Sequence, residues 1–587
     1  MPTIDKQSRK KALKAYNANI TERFERLDKL EKYCYGNQYD HMPDFFDQRE
    51  NVPLIERAPK IVYPIVANAI RSNVDLCLGE GRFPSITSFV SQDNLLRSEV
   101  DIDRADGDKV DAFIKAIIEQ ARIKSVARES LFQAQMSGSC CAVFSIRRAR
   151  LRADTVLTKW CDPEFSSNDM EVVTKLTISY PYIVEEWDQK SKTVKSKCMM
   201  YKRVIDEMAD ITFKPVECSE SGEPIAKSSW VPDPKMTYNH KLGFCPAIWY
   251  RHMPEHSTVY CLDGKPIHEH VLDEIDCLNY SLSQRHRAAL YSGEPQMWET
   301  GVDKDENPSA LGRVAAPIIH NDDTGESYYD SSSAGGGGSQ SARRKGPGVV
   351  WRYSNQEARV GMMTLPGDAL KPAEENARDL RNKIAESMSV VFLDPDILHV
   401  GTEVSGRTLG WLHHKQTARC DQIRSDFGDN WLVPAVNMLL RLAREGEARG
   451  DINLPGASQV MPLIDKFAQI VDDSWFGPRL TLDWGPYFEP TELDQKHIVQ
   501  GTLALQRGGV ITRRTAVERV ADFYDIGNID EYMSELEKDA GESQRIMQAT
   551  PSQNAQPGQV PKQNKVPPKG STLSGIIEPV SREVGEL

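Results

Sequence analysis

The feature that most constrains this chain is a set of three helical segments between His268 and Ala443. They are HEHVLDEIDCLNYSLSQRHRAAL (268–290), ALKPAEENARDLRNKIAESM (369–388) and a segment opening with SGRTLGWLHHKQTARCDQIRSDF (405–427). At about 100° per residue, the second segment places Glu375, Asp379 and Glu386 on one narrow stripe. Ala369, Ala373, Ala377, Leu380, Ile384 and Met388 fall on the opposite face, Arg378 and Arg381 on one flank and Lys383 on the other. Pro372 suits the first turn, and Asp368 is placed to cap it. In the first segment Val271, Ile275, Leu278 and Leu282 form one stripe that must be buried. The acidic ridge either faces a channel, with the basic flanks pairing with neighbouring copies in a ring, or lies in solvent. A solvated surface helix explains the acidic ridge equally simply.

Several domains are expected of 587 residues. No apolar run reaches the roughly 18 residues of a membrane span. The N-terminal MPTIDKQSRKKALKAYNANI lacks the apolar centre of a secretory leader. The eleven cysteines form no CxxC pair, so a disulfide framework or zinc site is not expected and a reducing cytoplasm is. The net charge of −13 argues against a chain that grips nucleic acid tightly, because such affinity comes from neutralising phosphates. It is compatible with an acidic wall past which DNA slides.

In chain order, residues 9–36 read as an amphipathic helix and 61–79 as a second, stopped by Gly79, Gly81 and Pro84. Residues 107–137 read as one third helix, with Val110, Phe113, Ile114 and Ile117 on its buried face. CCAVFSIRRARL (140–151) reads as a strand, with Cys140 and Cys141 as small residues entering it. VVTKLTISYPYIV, SKCMMYKRVIDEM and HKLGFCPAIWYRHM continue a β-rich region to about residue 252. The segment 292–367 mixes short strands with a Gly- and Ser-rich loop, beside which Arg343, Arg344 and Lys345 either contact a partner or lie in solvent. Pro434 marks a kink or boundary, RLTLDWGPYF (479–488) a strand, and 497–524 a helix, Gly-Gly turn and helix that Thr512 caps. The Gln-, Pro- and Ser-rich stretch 541–587 has the composition of a disordered tail. The fold class is therefore α+β, mainly helical.

No phosphate-binding GxxxxGK[ST], GxSxG, HExxH or GxGxxG in a strand–turn–helix setting is present. His268 and His270 lie about 200° apart on a helix and cannot share a metal. Asp394 and Asp396 in LDPDIL suit a turn. Neither an enzyme nor a cofactor or metal is expected.

Six stretches, in this order, resemble the portal proteins of tailed bacteriophages: APKIVYPIVANAIRSNVDLCLGEG, MSGSCCAVFSIRRA, HKLGFCPAIWYRHM, EIDCLNYSLSQRHRAAL, VSGRTLGWLHHK and GGVITRRTAVERV. Asn279 stands at the asparagine of the family's stem helix, Thr512 replaces a serine, and His252 or Met253 replaces an asparagine. The resemblance spans roughly residues 60–540 and leaves 292–367 and the tail unmatched. It implies a ring, usually a dodecamer, at one capsid vertex of the virion, assembled in the host cytoplasm. It implies an α/β wing (1–265), a two-helix stem (268–291 and 369–390), a clip (292–368), a tunnel loop (391–404), a return to the wing (405–496) and a helical crown (497–540). DNA is packaged and ejected through such a ring. Its implied partners are its own copies, the terminase large subunit, a head-completion or adaptor protein, the major capsid protein and scaffold, and double-stranded DNA, with no membrane.

On that resemblance Glu375, Asp379 and Glu386 line the channel, and Arg378 and Arg381 meet neighbouring subunits. His399, Val400 and Thr402 lie in the tunnel loop near DNA, with Gly401 and Gly406 permitting its bends, and Arg343, Arg344 and Lys345 contact a clip partner. Two rivals remain. One is another head–tail connector or minor capsid protein. The other is a metal-dependent nuclease using Asp394, Asp396 and His399.

Overall fold

The computed structural model describes residues 6–45, 52–88, 104–167, 171–188, 193–219, 230–253, 262–293, 296–300, 318–320, 327–329, 359–363, 370–392, 410–471, 474–488, 492–521, 532–536 and 538. It is an α+β chain in two compact units, Met1–Glu489 and Pro490–Leu587. The first unit opens with α1 (Lys6–Tyr35), α2 (Ile65–Leu78), β1 (Ser85–Ser88), α3 (Arg104–Gln120) and α4 (Ile123–Ser137). The strands β2 (Ser139–Arg147), β3 (Arg150–Val156), β4 (Cys161–Phe165), β5 (Val173–Asp188), β6 (Thr193–Ile205), β7 (Asp210–Thr212), β8 (Val216–Glu217) and β9 (Ala247–Arg251) follow. Next come α5 (Leu272–Gly293), β10 (Gln296–Thr300), β11 (Ile318–His320), β12 (Ser327–Tyr329), β13 (Arg359–Met363) and α6 (Leu370–Ser387). The unit closes with α7 (His414–Phe427), α8 (Val433–Arg449), α9 (Ala457–Phe467), β14 (Ala468–Val471), β15 (Ser474–Pro478) and β16 (Leu480–Asp483).

The core is built on α2, which is apolar nearly all round. Ile65, Ala69 and Ile70 have no exposed surface, and the helix packs against α4 and α7. Pro64 precedes it at the N-cap, so the helix starts four residues later than the apolar run 61–79 suggests. Val110, Phe113, Ile114 and Ile117 of α3 are buried, as their spacing predicts. The single helix expected over 107–137 is, however, two. Arg122 takes a left-handed backbone (φ 56°) between α3 and α4. No Gly or Pro marks the break. It lets α3 pack on β1, α8 and α9 while α4 turns toward α2 and β2. Tertiary packing here overrides a continuous helical pattern.

The strand expected over 140–151 is likewise a hairpin. β2 pairs antiparallel with β3, reversing at Arg148 and Ala149, both at positive φ (54° and 55°). β2 also pairs with β9, giving the sheet order β3-β2-β9. Cys140 and Cys141 enter this sheet at the start of β2, as expected, and both are buried. A second antiparallel sheet has the order β4-β5-β6-β7, with β8 also on β6. Its long β5–β6 ladder, from Leu176↔Ile205 to Asp188↔Thr193, takes in most of both stretches read as strands from sequence, and β6 ends at Ile205 before the last three residues of the second. β16 pairs with β1 but ends at Asp483, shorter than the strand expected over 479–488. Of the kink or boundary expected at Pro434 the structure has the boundary: Pro434 stands in the first turn of α8, directly after a π-helical turn over Gly428–Leu432.

Backbone crosses backbone at Gly138, the left-handed C-cap of α4 (φ 84°). Its carbonyl accepts N–H bonds of 2.8 Å from both His252 and Gly264. A Cβ on Gly264 would stand 2.0 Å from the His252 carbonyl oxygen, and one on Gly138 would stand 2.3 Å from that of Gly264. Next to this clasp Asp263, almost wholly buried, accepts a bidentate pair from Arg23 of α1 (2.7 and 2.9 Å) and the Ser139 hydroxyl at 2.5 Å. Arg26 pairs with Glu269 at 2.6 and 2.7 Å and holds that carboxyl below its usual pKa. The arrangement fastens α1, the α4–β2 junction and the entry to α5 to one point.

The second unit contains α10 (Glu492–Arg507) and α11 (Arg513–Ala521), joined through Gly508 and Gly509. The Thr512 hydroxyl accepts the Thr515 N–H at 3.2 Å, the N-cap expected from sequence. The stretch 541–587 lies outside the described residues.

Two outcomes follow for stability. Gly264→Ala forces a methyl group into a carbonyl and lowers the unfolding free energy by about 3 kcal/mol, read from denaturant melts. The buried rings of His252 and His268 are held neutral by burial, with pKa values pushed down to about 3 and about 4. The unfolded chain binds those protons near pH 6.5 and the folded chain does not. Their contribution is therefore complete above pH 6.5 and falls as pH drops toward 4, by about 1.4 kcal/mol per pH unit for each ring. His268→Gln is expected to flatten the pH dependence of the thermal midpoint between pH 6.5 and 4.5.

Candidate functional site

The site is built on α5 and α6. α5 buries Val271, Ile275 and Leu278, the stripe expected from sequence, and Leu282 packs against the same core. Asn279, Ser283 and Asp276 fix how α5 meets the rest. The Asn279 carbonyl oxygen accepts the Tyr63 N–H at 2.9 Å, and the Ser283 hydroxyl accepts that of Ile61 at 2.9 Å. Asp276 accepts the hydroxyls of Tyr33 (2.7 Å) and Tyr39. The extended segment before α2 has no ladder to join, and α5 supplies its partners.

α6 runs antiparallel to α5. Ser387 O lies 3.3 Å from the His270 ring, Asn376 lies 3.5 Å from the Ser281 hydroxyl, and Glu374 pairs with Arg285 at 3.6 Å. Ala377, Ile384 and Met388 are buried, and Leu380 packs partly against the core. Glu375, Asp379 and Glu386 are all exposed on the other side, so the helical wheel placed the acidic ridge correctly. Glu386 is paired with Lys415 of α7 at 3.1 Å. Arg378 and Lys383 are exposed. Arg381 is half-buried and stands over the Phe392 ring of its own chain, 5.6 Å from its centroid. Beyond the helices, β10 and β13 pair antiparallel from Gln296↔Met363 to Thr300↔Arg359, so the two chains stay side by side past the helix ends. Arg343, Arg344 and Lys345 lie outside the described residues, as does Asp368.

The connection between α6 and α7 leaves the core at Val390, Val391 and Phe392. His399, Val400 and Thr402, together with Asp394, Asp396, Gly401 and Gly406, lie outside the described residues. Both sides of that connection are fastened by Gln416, a residue the sequence does not single out. Its side chain is wholly buried and accepts the Val391 N–H at 3.2 Å, with the His413 ring 3.1 Å away. It donates to Asn73 Oδ1 and the Ser72 hydroxyl of α2, both at 3.0 Å. A glutamine in a polar helix stretch carries no sequence signal for this. Only the convergence of α2, α6 and α7 makes it a hub. Trp411, at the near end of α7, is exposed.

His268 does not face His270 across a metal position. Its Nε2 donates to the Leu30 carbonyl at 3.1 Å. Among the described residues no group of three or more His, Cys, Asp or Glu side chains is placed to hold a metal ion. No helix of the described residues is long and apolar enough to cross a membrane. The arrangement offers an acidic helix face and a pinned connection. No protein-family model and no curated protein matches the chain.

Gln416→Leu strands the Val391 N–H and the Asn73 carbonyl oxygen in the core. The expected loss is about 2–4 kcal/mol of unfolding free energy. Faster hydrogen exchange at Val391 and Phe392 is the local sign that the connection has come loose.

Proposed function

We propose that this chain is a subunit of a portal-type ring through which double-stranded DNA passes, with α5 and α6 as its stem. The observation that carries the reading is the exposed acidic row of α6. That helix buries its apolar side against α5 and leaves Glu375 and Asp379 with no ion-pair partner among the described residues. Repeated round a ring, such a row repels phosphate from every side and keeps a DNA duplex centred and mobile. The reading is supported further by where the family-like stretches meet. Those at 58–81, 136–149, 240–253 and 274–290 converge on the Gly138 clasp and on Asn279.

On this reading the wing is 1–265, the stem 268–291 and 369–390, the clip 292–368, the tunnel loop 391–404, the return to the wing 405–496 and the crown 497–540. The ring sits at one capsid vertex and is built in the host cytoplasm with capsid protein and scaffold. It docks the terminase large subunit at the clip and later a head-completion protein. It binds no cofactor and catalyses no reaction. Arg378 and Arg381 are the residues proposed to meet a neighbouring subunit, and Arg381 also stands over the Phe392 ring of its own chain.

Negative-stain electron microscopy of the purified chain is expected to show rings of about twelve copies with a central hole. Compact dimers without a hole would overturn the reading. In the triple variant Glu375→Lys/Asp379→Lys/Glu386→Lys, rings are expected to persist while DNA packaging falls by about tenfold or more. Unchanged packaging with intact rings would remove the channel role from α6.

A further inference from the structure

The β2–β3 hairpin carries four arginines in six residues, Arg147, Arg148, Arg150 and Arg152, on a chain of net charge −13. Its inward face is ordinary core. Phe144, Leu151 and Ala153 are buried, and Ile146 lies where a Cβ on Gly446 of α8 would touch it. Its outward face is not ordinary. Arg147 stands directly opposite Arg150, and Arg152 opposite Ser145, so three guanidinium groups share one side of the ribbon. All four arginines are exposed. The nearest acid, Asp154, is 4.0 Å from Arg147, and both side chains are about half exposed (52% and 53%). No other ion pair to these arginines is formed among the described residues.

Two local choices run against stability. Like charges directly opposite each other weaken an antiparallel pair. The two-residue turn needs positive φ at both central positions, which Asn and Gly adopt readily, yet Arg148 and Ala149 occupy them. Local rules are broken in this way where a surface serves a partner. We infer that the β2–β3 hairpin is a binding site for the phosphate backbone of duplex DNA, separate from the acidic ridge of α6. Every cation of the cluster is an arginine, whose planar fork matches phosphate oxygens in pairs. A two-stranded ribbon also fits the major groove. The contact proposed is to phosphate oxygens rather than base edges, and such contacts carry no sequence information. The choice of DNA among polyanions rests on the ring reading, whereas the hairpin's geometry does not.

The test measures binding of the full-length chain to a fluorescent duplex of about 20 base pairs across a low-salt series. Saturable binding is expected, with log K falling linearly with log salt. The variant Arg147→Gln/Arg148→Gln/Arg150→Gln/Arg152→Gln should make that slope shallower by about 3–4 and weaken binding at least about tenfold. Its thermal midpoint should equal or exceed that of the parent, which separates lost contact from lost folding. A second variant, Arg148→Asn/Ala149→Gly, should raise the midpoint and keep most of the binding. Absence of binding by the parent, or an unchanged slope in the quadruple variant, would overturn the inference. Equal competition by polyglutamate of matched charge would do so too, because an acidic protein surface would then serve as well. Microscopy of the same samples separates the two readings. Rings without hairpin-dependent binding defeat this inference alone, and hairpin-dependent binding by compact dimers without a hole defeats the ring reading alone.

Discussion

The clasp at Gly138 is the constraint on which the first unit depends. Two backbone segments, at His252 and Gly264, come within hydrogen-bonding distance of the Gly138 carbonyl, and only glycines at 138 and 264 leave room for it. Because Gly138 ends α4 and precedes β2, the clasp sets the angle between the helical layer and the β3-β2-β9 sheet. Gly264 precedes α5 by eight residues, so the same contact decides where that helix begins. The buried Asp263–Arg23 pair adds α1 to the junction. Its cost of burial is offset by the Ser139 hydroxyl and by the carbonyls of Thr158 and Cys161, which take two more guanidinium N–H groups.

Polar residues rather than apolar ones specify how the helices are joined. Hydrophobic burial holds α2, α4, α7 and α8 together, yet it permits many registers. Asn279, Asp276 and Gln416 permit one, because each satisfies groups on two or three separate segments. A slip of either helix would leave those groups unpaired in the core. Gln416 and Asn279 therefore orient the acidic face of α6 without touching it. The contrast with the β2–β3 hairpin is one of sign and of cost. The acidic ridge sits on a regular helix that needs no strain, whereas the arginine cluster sits on a turn whose residues resist its backbone.

Much of the chain was legible in the sequence. Period-3.6 patterns located α2, α3, α5 and α6 and the buried faces of α3 and α5, and they put Glu375, Asp379 and Glu386 on the exposed side. Two misreadings have the same origin. The helix over 107–137 breaks at Arg122, and the strand over 140–151 reverses at Arg148 and Ala149, in both cases at non-glycine residues with positive φ. Local propensity gives no warning there, since it is the surrounding packing that forces the conformation. The hub at Gln416 escaped notice because its partners lie 25 and more than 300 residues away.

The sequence by itself determined where most helices and strands lie and which sides of them are apolar, because side-chain periodicity follows directly from backbone geometry. It also determined the charge that each face presents to solvent. The tertiary structure alone decided which faces meet, where the backbone turns against propensity, and which polar side chains hold the α5–α6 pair in place. Those outcomes depend on groups far apart in the chain, and on close backbone approaches that no local pattern records.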